Sequence, residues 1–160
     1  MQARRCGRSG RISQWDPKIE LHMQKKTNPN SKHRQKYREG PTISGRESYA
    51  DVTNQPGHYV IYWEIKGEVE DNILDACCRE MDLSFADHGY VVSRKTNSIG
   101  PLELCILESG AFKKILDNFI SNGVALNQFK TPRCTNNHVL LKILDNCTTK
   151  RFLSTAYSLD

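Results

Sequence analysis

Apolar and polar positions follow two different periods along this chain, and these periods predict helices and strands. Helical spacing of apolar residues predicts three helices, at residues 70–84, 111–120 and 139–147. β-branched and aromatic composition predicts one strand at His58–Ile65 and a second at Tyr90–Arg94. A third strand is expected at Leu102–Glu108, and the short turn before it would join the last two strands as an antiparallel hairpin.

The order of these elements indicates an α+β fold. With the segment Gln128–Arg133 taken as a short strand or an extended loop, the order is strand, helix, strand, strand, helix, strand, helix. This order is typical of a split β-α-β, ferredoxin-like sandwich, in which helices flank a small mixed sheet. Many unrelated functions share this architecture, so the fold alone does not define an activity.

The first 47 residues differ from the rest in composition and charge. They hold 12 Lys or Arg against 4 Asp or Glu, whereas residues 48–160 hold 11 against 14. Because residues 1–47 contain few aliphatic side chains, they cannot bury enough apolar surface to offset their ordering entropy, and a disordered basic arm is expected there. The folded domain is expected at residues 48–160. The cluster Lys32–Arg38 is either part of a solvated tail or a patch for nucleic acid or for nuclear import.

Cysteine, histidine and hydropathy patterns narrow the class of protein further. None of the six cysteines forms a Cys-x-x-Cys pair, and no set of Cys and His has zinc-finger spacing, so no metal site is predicted. Cys77, Cys78 and Cys105 lie in apolar patterns typical of buried free thiols, which fits a reducing compartment and a cytoplasmic location. No run approaches the roughly 20 apolar residues of a membrane span, so no membrane partner is expected.

The segment Asn127–Cys134 carries the candidate functional residues. Pro132 fixes its own φ and pushes Thr131 toward an extended conformation. In an extended segment, Lys130 and Pro132 point to one face, and Thr131 and Arg133 point to the other. Such a loop can present the positive charge of a lysine to an anion such as phosphate. The same local pattern is also found in ordinary solvated surface loops.

Four ordered motifs resemble one known family, and they are Ser48–Asp51, Pro56–Val60, Ser98–Glu103 and Gln128–Cys134. In this order they resemble the C-terminal domain of the plant auxin-responsive Gretchen Hagen family, the acyl-acid amido synthetases. The resemblance covers about residues 48–157. Phe129 and the stretch Gly89–Lys95 are more similar to the jasmonate-conjugating branch of the family than to the auxin-conjugating branch.

The resemblance implies an ATP-dependent ligase in which this domain is a mobile lid. Such enzymes use ATP and Mg²⁺ to convert a hormone carboxylic acid into an acyl-adenylate, which the amine of an amino acid then attacks. By resemblance, Lys130 is the catalytic residue that approaches the nucleotide phosphate, where an ammonium group stabilises developing charge. Gln128, Phe129, Thr131 and Arg133 belong to the same substrate and nucleotide loop. Arg133 is expected either to pair with a carboxylate of the lid or to orient this loop.

Other motif residues are assigned structural roles. Asp51 is expected in the hinge region or as a cap of the Pro-Gly turn, and His58 and Tyr59 are expected to begin a strand. The ATP-binding and acid-binding motifs of the family lie in a larger N-terminal domain that this chain lacks. The residues before Ser48 do not resemble the family sequence at that position. We therefore expect a truncated gene model, a partial transcript or a degenerate copy that is inactive alone and binds no cofactor tightly.

Two alternatives to a detached lid remain open at the level of the sequence. One is a regulatory protein that docks on a full-length synthetase or on its N-terminal domain through the lid face. The other is a small α+β nucleic-acid-binding module that uses the basic arm, although the net acidic charge of residues 48–160 argues against it.

Overall fold

The computed structural model describes residues 41–123 and 135–158 of the chain. Its elements are β1 (Thr42–Asp51), β2 (His58–Lys66), α1 (Asp71–Ser84), α2 (His88–Lys95), β3 (Glu103–Leu107), α3 (Ala111–Ser121), α4 (His138–Asn146) and β4 (Thr148–Leu153). The four strands form one mixed sheet that helices flank. The predicted α+β class and the three predicted helices are confirmed.

The strands lie in the sheet in the order β1-β2-β3-β4. β1 and β2 are antiparallel, with Asp51 opposite His58, and β2 and β3 are parallel, with Val60 opposite Glu103. β4 returns antiparallel to β3, with Leu153 opposite Glu103. Parallel neighbours require a crossover connection, which α1 and α2 supply. Because β2 and β3 are direct neighbours, the strand order differs from the expected split β-α-β unit, in which another strand lies between them.

Each face of the sheet has its own apolar core, because successive side chains of a strand point to opposite faces. On the first face, Ile61 and Trp63 of β2 pack with the apolar stripe of α1. On the second face, Val60 and Tyr62 of β2 pack with the stripes of α3 and α4. The buried residues of these stripes are Ile73, Leu74, Cys77, Cys78, Met81, Ala111, Ile115, Leu140, Leu144 and Cys147. Ile120 and Val139, which the sequence also places in the stripes, are exposed.

The prediction of a strand at Tyr90–Arg94 is wrong, because this segment lies in α2. The Asp87 side chain accepts hydrogen bonds from the backbone N–H groups of Gly89 and Tyr90, which is a typical N-cap. Helical spacing then brings Tyr90 and Arg94 to the same face, where both donate to the carboxylate of Asp82. These tertiary contacts outweigh the β-propensity of the two valines between them. The predicted hairpin is therefore absent as well, and β3 pairs with β2 and β4.

The two edge strands of the sheet, β1 and β4, were not predicted from the sequence. β1 begins at Thr42, so residues 42–47 form a paired strand and do not belong to a disordered arm. β4 follows α4 directly at Thr148. Both strands contain many polar residues, because an edge strand is partly exposed and takes its stability from backbone pairing with its neighbour. The expected strand or loop at Gln128–Arg133 lies outside the described residues.

None of the helices in the described part of the chain is long and apolar enough to cross a membrane. The longest of them, α1, has 14 residues, whereas a span needs about 20.

Candidate functional site

The segment that carries the candidate functional residues connects α3 to α4. Gln128, Phe129, Lys130, Thr131 and Arg133 all lie outside the described residues, so their roles stay predictions. The structure does describe both flanks of this segment, and these flanks fix where its ends are attached.

The helix before the segment is positioned by a carboxylate of the sheet. Glu64 of β2 is buried, and its Oε1 and Oε2 atoms accept hydrogen bonds from the N–H groups of Gly110 and Phe112, each at 3.0 Å. A negative charge at a helix N-terminus satisfies unpaired donors and interacts favourably with the helix dipole. At the other end, Gly123 has a φ of 86°, which suits glycine and ends α3 as the sequence predicts.

The end of the segment is attached to the edge of the sheet. Thr135 is 3% exposed, and its backbone N–H donates to the carbonyl oxygen of Ser48 in β1 at 3.1 Å. Its hydroxyl accepts a hydrogen bond from the N–H of Asn137, and the Asn137 side chain caps α4. The chain therefore enters α4 from a fixed point on β1, five residues after Lys130.

Three of the four motifs that resemble the synthetase family meet at one end of the sheet. The N–H of Gly100 donates to the carbonyl oxygen of Gly57 at 2.9 Å, which joins the second motif to the third. A Cβ atom added at Gly100 would lie 3.2 Å from the Cβ of His58, so this close approach favours glycine. Asp51 of the first motif accepts from the N–H and the hydroxyl of Thr53, and it thereby caps the turn that leads to Pro56.

Charged side chains of the second face connect the strands at this end. His58 Nε2 lies 3.0 Å from Glu103 Oε2, and Arg151 Nη1 donates to Glu103 Oε1 at 2.8 Å. Arg151 Nη2 donates to Asp145 of α4 at 3.0 Å, and the Tyr62 hydroxyl donates to the same carboxylate at 2.9 Å. We name these five residues the sheet-end network. It links β2, β3 and β4 to α4, and His58 begins β2, as the sequence predicts.

The pKa shifts in the sheet-end network follow from burial and from these hydrogen bonds. Burial raises the pKa of Glu103, but hydrogen bonds from Arg151 and His58 outweigh burial, so the pKa lies below its usual value. The hydrogen bond to Glu103 raises the pKa of Arg151. Burial raises the pKa of the neighbouring Cys105 thiol, which keeps it protonated and unreactive. The network therefore holds the sheet end together as paired charges and offers no activated nucleophile.

The described residues contain no group of His, Cys, Asp or Glu side chains that could hold a metal ion. Sequence reasoning missed the buried acidic residues Glu47 and Glu64 and the network members Asp145 and Arg151. Glu64 could have been noticed as a lone acidic residue inside the apolar strand His58–Ile65. Arg151 could not, because the strand that carries it was not predicted.

The fold and the attachment of the α3–α4 segment define a small α+β domain with one mixed sheet that helices flank. A family model described as the GH3 family C-terminal domain matches residues 32–139. The chain therefore belongs to the GH3 family, as the four motifs predicted. The match includes residues 32–47, which were assigned to an arm unlike the family.

The chain is similar to several curated relatives over a limited part of their length. It is 60% identical over 110 residues to indole-3-acetic acid-amido synthetase GH3.10 of Arabidopsis thaliana, covering 69% of this chain and 19% of that protein. It is 51% identical over 112 residues to jasmonoyl-L-amino acid synthetase JAR6 of Nicotiana attenuata, covering 69% and 19%. The chain thus spans about a fifth of the length of these relatives. Because they include both an indole-3-acetic acid and a jasmonoyl synthetase, the similarity does not assign the chain to the auxin branch or to the jasmonate branch.

A solved structure supports the same assignment. The GH3.15 acyl acid amido synthetase matches this chain with a TM-score of 0.65 and 37% sequence identity, covering 72% of this chain and 22% of that one. The fold described above is therefore that of a part of a GH3 enzyme.

Proposed function

We propose that this chain is the lid domain of an ATP-dependent acyl-acid amido synthetase, which conjugates a hormone carboxylic acid, jasmonate or auxin, to an amino acid. The match to the GH3 C-terminal domain over residues 32–139 carries this proposal. In the proposed enzyme, ATP and Mg²⁺ bind in the larger domain and supply the activation of the acid as an acyl-adenylate. The domain described here would close over that site.

The proposed role of Lys130 is to bring one ammonium group to the nucleotide phosphate. What supports it is the position of the segment between two fixed flanks. The Glu64 carboxylate positions α3, and the hydrogen bond from Thr135 to Ser48 positions the entry to α4. An ammonium group close to the phosphate stabilises the charge that develops in the transition state.

The proposed partner of this chain is the larger domain of a synthetase, either in the same polypeptide or in a full-length relative. Free buried thiols at Cys78, Cys105 and Cys147 fit a reducing compartment, and we propose the cytosol. Alone, the chain is expected to bind neither ATP nor Mg²⁺ tightly. Isothermal calorimetry with ATP, with and without Mg²⁺, tests this expectation directly.

A chimera provides the decisive test of function. Residues 41–160, which include the whole of β1, would replace the matching region of the Arabidopsis GH3.10 protein, and ATP–pyrophosphate exchange would be measured with jasmonic acid and with indole-3-acetic acid. We expect exchange by the chimera, and a loss of about 100-fold on Lys130→Ala, which is typical when one group that stabilises developing charge is removed.

Lys113→Ala is the matched control, because Lys113 is an exposed lysine on α3. It should leave the exchange rate unchanged. A well-folded chimera without exchange would contradict the lid assignment. Equal rates for Lys130→Ala and Lys113→Ala would contradict the role of Lys130 and leave the lid assignment intact.

A further inference from the structure

One carboxyl group on β1 is enclosed and only half satisfied. The Glu47 residue is 3% exposed. Its Oε1 atom accepts a hydrogen bond from the N–H of Ser48 at 2.9 Å, whereas its Oε2 atom has no hydrogen-bond partner among the described residues. Burying an unpaired polar atom costs free energy, and burying an unpaired charge costs more. Ionisation of this carboxyl group in place therefore costs free energy, which a change in its surroundings would reduce.

Glu47 lies beside the point where the α3–α4 segment is attached to the sheet. The N–H of Ser48 donates to the Glu47 carboxyl group, and the carbonyl oxygen of Ser48 accepts from the N–H of Thr135. β1 is an edge strand, and these two contacts cover its edge at one residue. The carboxyl group of Glu47 and the backbone of Thr135 are therefore joined through Ser48.

The surroundings of Glu47 offer it little compensation for a negative charge. Burial raises its pKa to about 7, and the hydrogen bond from Ser48 lowers the pKa by less. Tyr62 lies directly opposite Glu47 on β2. The charged and titratable side chains on the elements of this second face are Tyr49, Asp51, His58, Tyr62, Glu64, Glu103, Cys105, Lys113, Lys114, Asp117, His138, Lys142, Asp145, Cys147 and Arg151. Glu64, Glu103, Lys114, Asp145 and Arg151 form hydrogen bonds with groups other than Glu47.

We propose that deprotonation of Glu47 releases Thr135 from Ser48. The pH would then control whether the chain just before α4 is attached to β1. An ionised Glu47 needs water at its Oε2 atom. In this proposal, release of the Thr135 N–H from the carbonyl oxygen of Ser48, the residue next to Glu47, opens the edge of β1 to water. The inference does not depend on the proposed function, since it concerns this domain alone.

The direction of the pH effect follows from linkage. In the attached state the pKa of Glu47 is about 7, and in a released, hydrated state it returns toward the ordinary value of 4.5. The attached state thus binds the proton more tightly, so attachment is fully favoured below pH 4.5 and is lost as the pH rises to 7. Across that window, the ratio of released to attached molecules rises by up to about tenfold per pH unit.

Amide hydrogen exchange measured by NMR on the whole chain tests this proposal between pH 5 and pH 8. After correction for the intrinsic exchange rate, we expect the protection factor of the Thr135 amide to fall at least about tenfold between pH 5 and pH 7. It should then stay level above pH 7.5. Amides of the central strand β3, such as that of Cys105, should keep their protection throughout. The ¹³C resonance of the Glu47 carboxyl group should titrate over the same window.

Glu47→Gln is the matched variant, because it keeps the shape of the side chain and removes the ionisation. It should make the protection factor of the Thr135 amide independent of pH. The control variant Glu68→Gln, at an exposed site after β2, should behave like the wild type. A pH-independent Thr135 amide in the wild type would overturn the proposal. So would an equal loss of protection at Thr135 and in β3, because Glu47 would then titrate only on global unfolding. Both readouts use the wild type, so they hold even if the glutamine variant fails to fold.

Discussion

Arg94 and Asp82 form an ion pair that is sealed from solvent between α1 and α2. The Nη2 atom of Arg94 lies 2.9 Å from Oδ2 of Asp82, and the two side chains are 4% and 0% exposed. Arg94 also donates to the carbonyl oxygen of Ile99, and its guanidinium group lies 5.2 Å from the centre of the Tyr157 ring. One side chain therefore ties together two helices, the loop before β3 and the residues after β4.

Removing Arg94 should destabilise the domain strongly. Arg94→Met leaves the Asp82 carboxylate buried without its counter-charge, which typically costs about 3–5 kcal/mol. Urea unfolding followed by circular dichroism measures the loss. Arg79→Met is the control, because Arg79 is half exposed and pairs with Glu80 at 3.5 Å, so its loss should cost less than about 0.5 kcal/mol. Similar losses for the two variants would show that the buried pair is not an important contribution to stability.

Removing the carboxylate at the start of α3 should loosen that helix. Glu64→Gln keeps one oxygen acceptor and replaces the other with an amide N–H group, which faces the N–H of Gly110 or Phe112. Because hydrogen bonds to charged groups contribute about 1.5–3 kcal/mol each, we expect a loss in that range. The amide exchange of Phe112 should speed up most, and urea unfolding should report the loss of stability.

The exposed Glu68 supplies the control for this variant, since Glu68→Gln changes the charge by the same amount. It should leave both the exchange at Phe112 and the urea midpoint unchanged. If Glu64→Gln behaves like Glu68→Gln, the carboxylate does not hold α3 in place.

The elements that sequence reasoning predicted well are those with a strong apolar period. α1, α3 and α4 each carry a stripe that the sequence displays and the two cores bury. The central strand β2 is similarly clear, because five successive residues from Val60 to Glu64 are buried and most of them are β-branched or aromatic. In these elements, local pattern and tertiary contact agree.

The sequence-based predictions failed where tertiary contacts determine the secondary structure. Local propensity favours a strand at Tyr90–Arg94, but Asp82, eight residues before Tyr90, draws both ends of that segment to one helical face. β1 and β4 lack an apolar period, because their stability comes from pairing with β2 and β3. The motifs of the candidate site could be recognised in the sequence. The burial of Glu47 and its position beside Thr135 could not, because they depend on the tertiary structure.

The buried thiols should resist alkylation in the folded state. Burial raises the pKa of Cys78 to about 12, and it also raises the pKa of Cys105. Since the thiolate is the reactive form, labelling of these two residues by iodoacetamide at pH 8 should be on the order of 100-fold slower than in the unfolded chain. Peptide mass spectrometry resolves each site, and labelling in concentrated urea is the control. Equal rates with and without urea at Cys78 would contradict its enclosure.

Acid should weaken the sheet-end network through Glu103. The hydrogen bonds from Arg151 and His58 hold the pKa of Glu103 below its usual value of 4.5, despite the opposing effect of burial. The contribution of this carboxylate is therefore fully present above pH 4.5, and it is lost as the pH falls through the lowered pKa. Glu103→Gln removes the charge at every pH. It should cost about 1.5–3 kcal/mol at pH 6, where the wild type keeps its charged hydrogen bonds.

The difference between the wild type and Glu103→Gln should shrink when unfolding is measured at progressively lower pH, because protonation removes the same charge from the wild type. Urea midpoints for both proteins at pH 6, 4.5 and 3.5 measure this convergence. Glu80→Gln is the control, since Glu80 is half exposed and its pairing with Arg79 is loose; its small effect should not change with pH. A Glu103→Gln loss that is constant from pH 6 to pH 3.5 would mean that Glu103 acts through its shape, and that its charge does not hold β3 to β4.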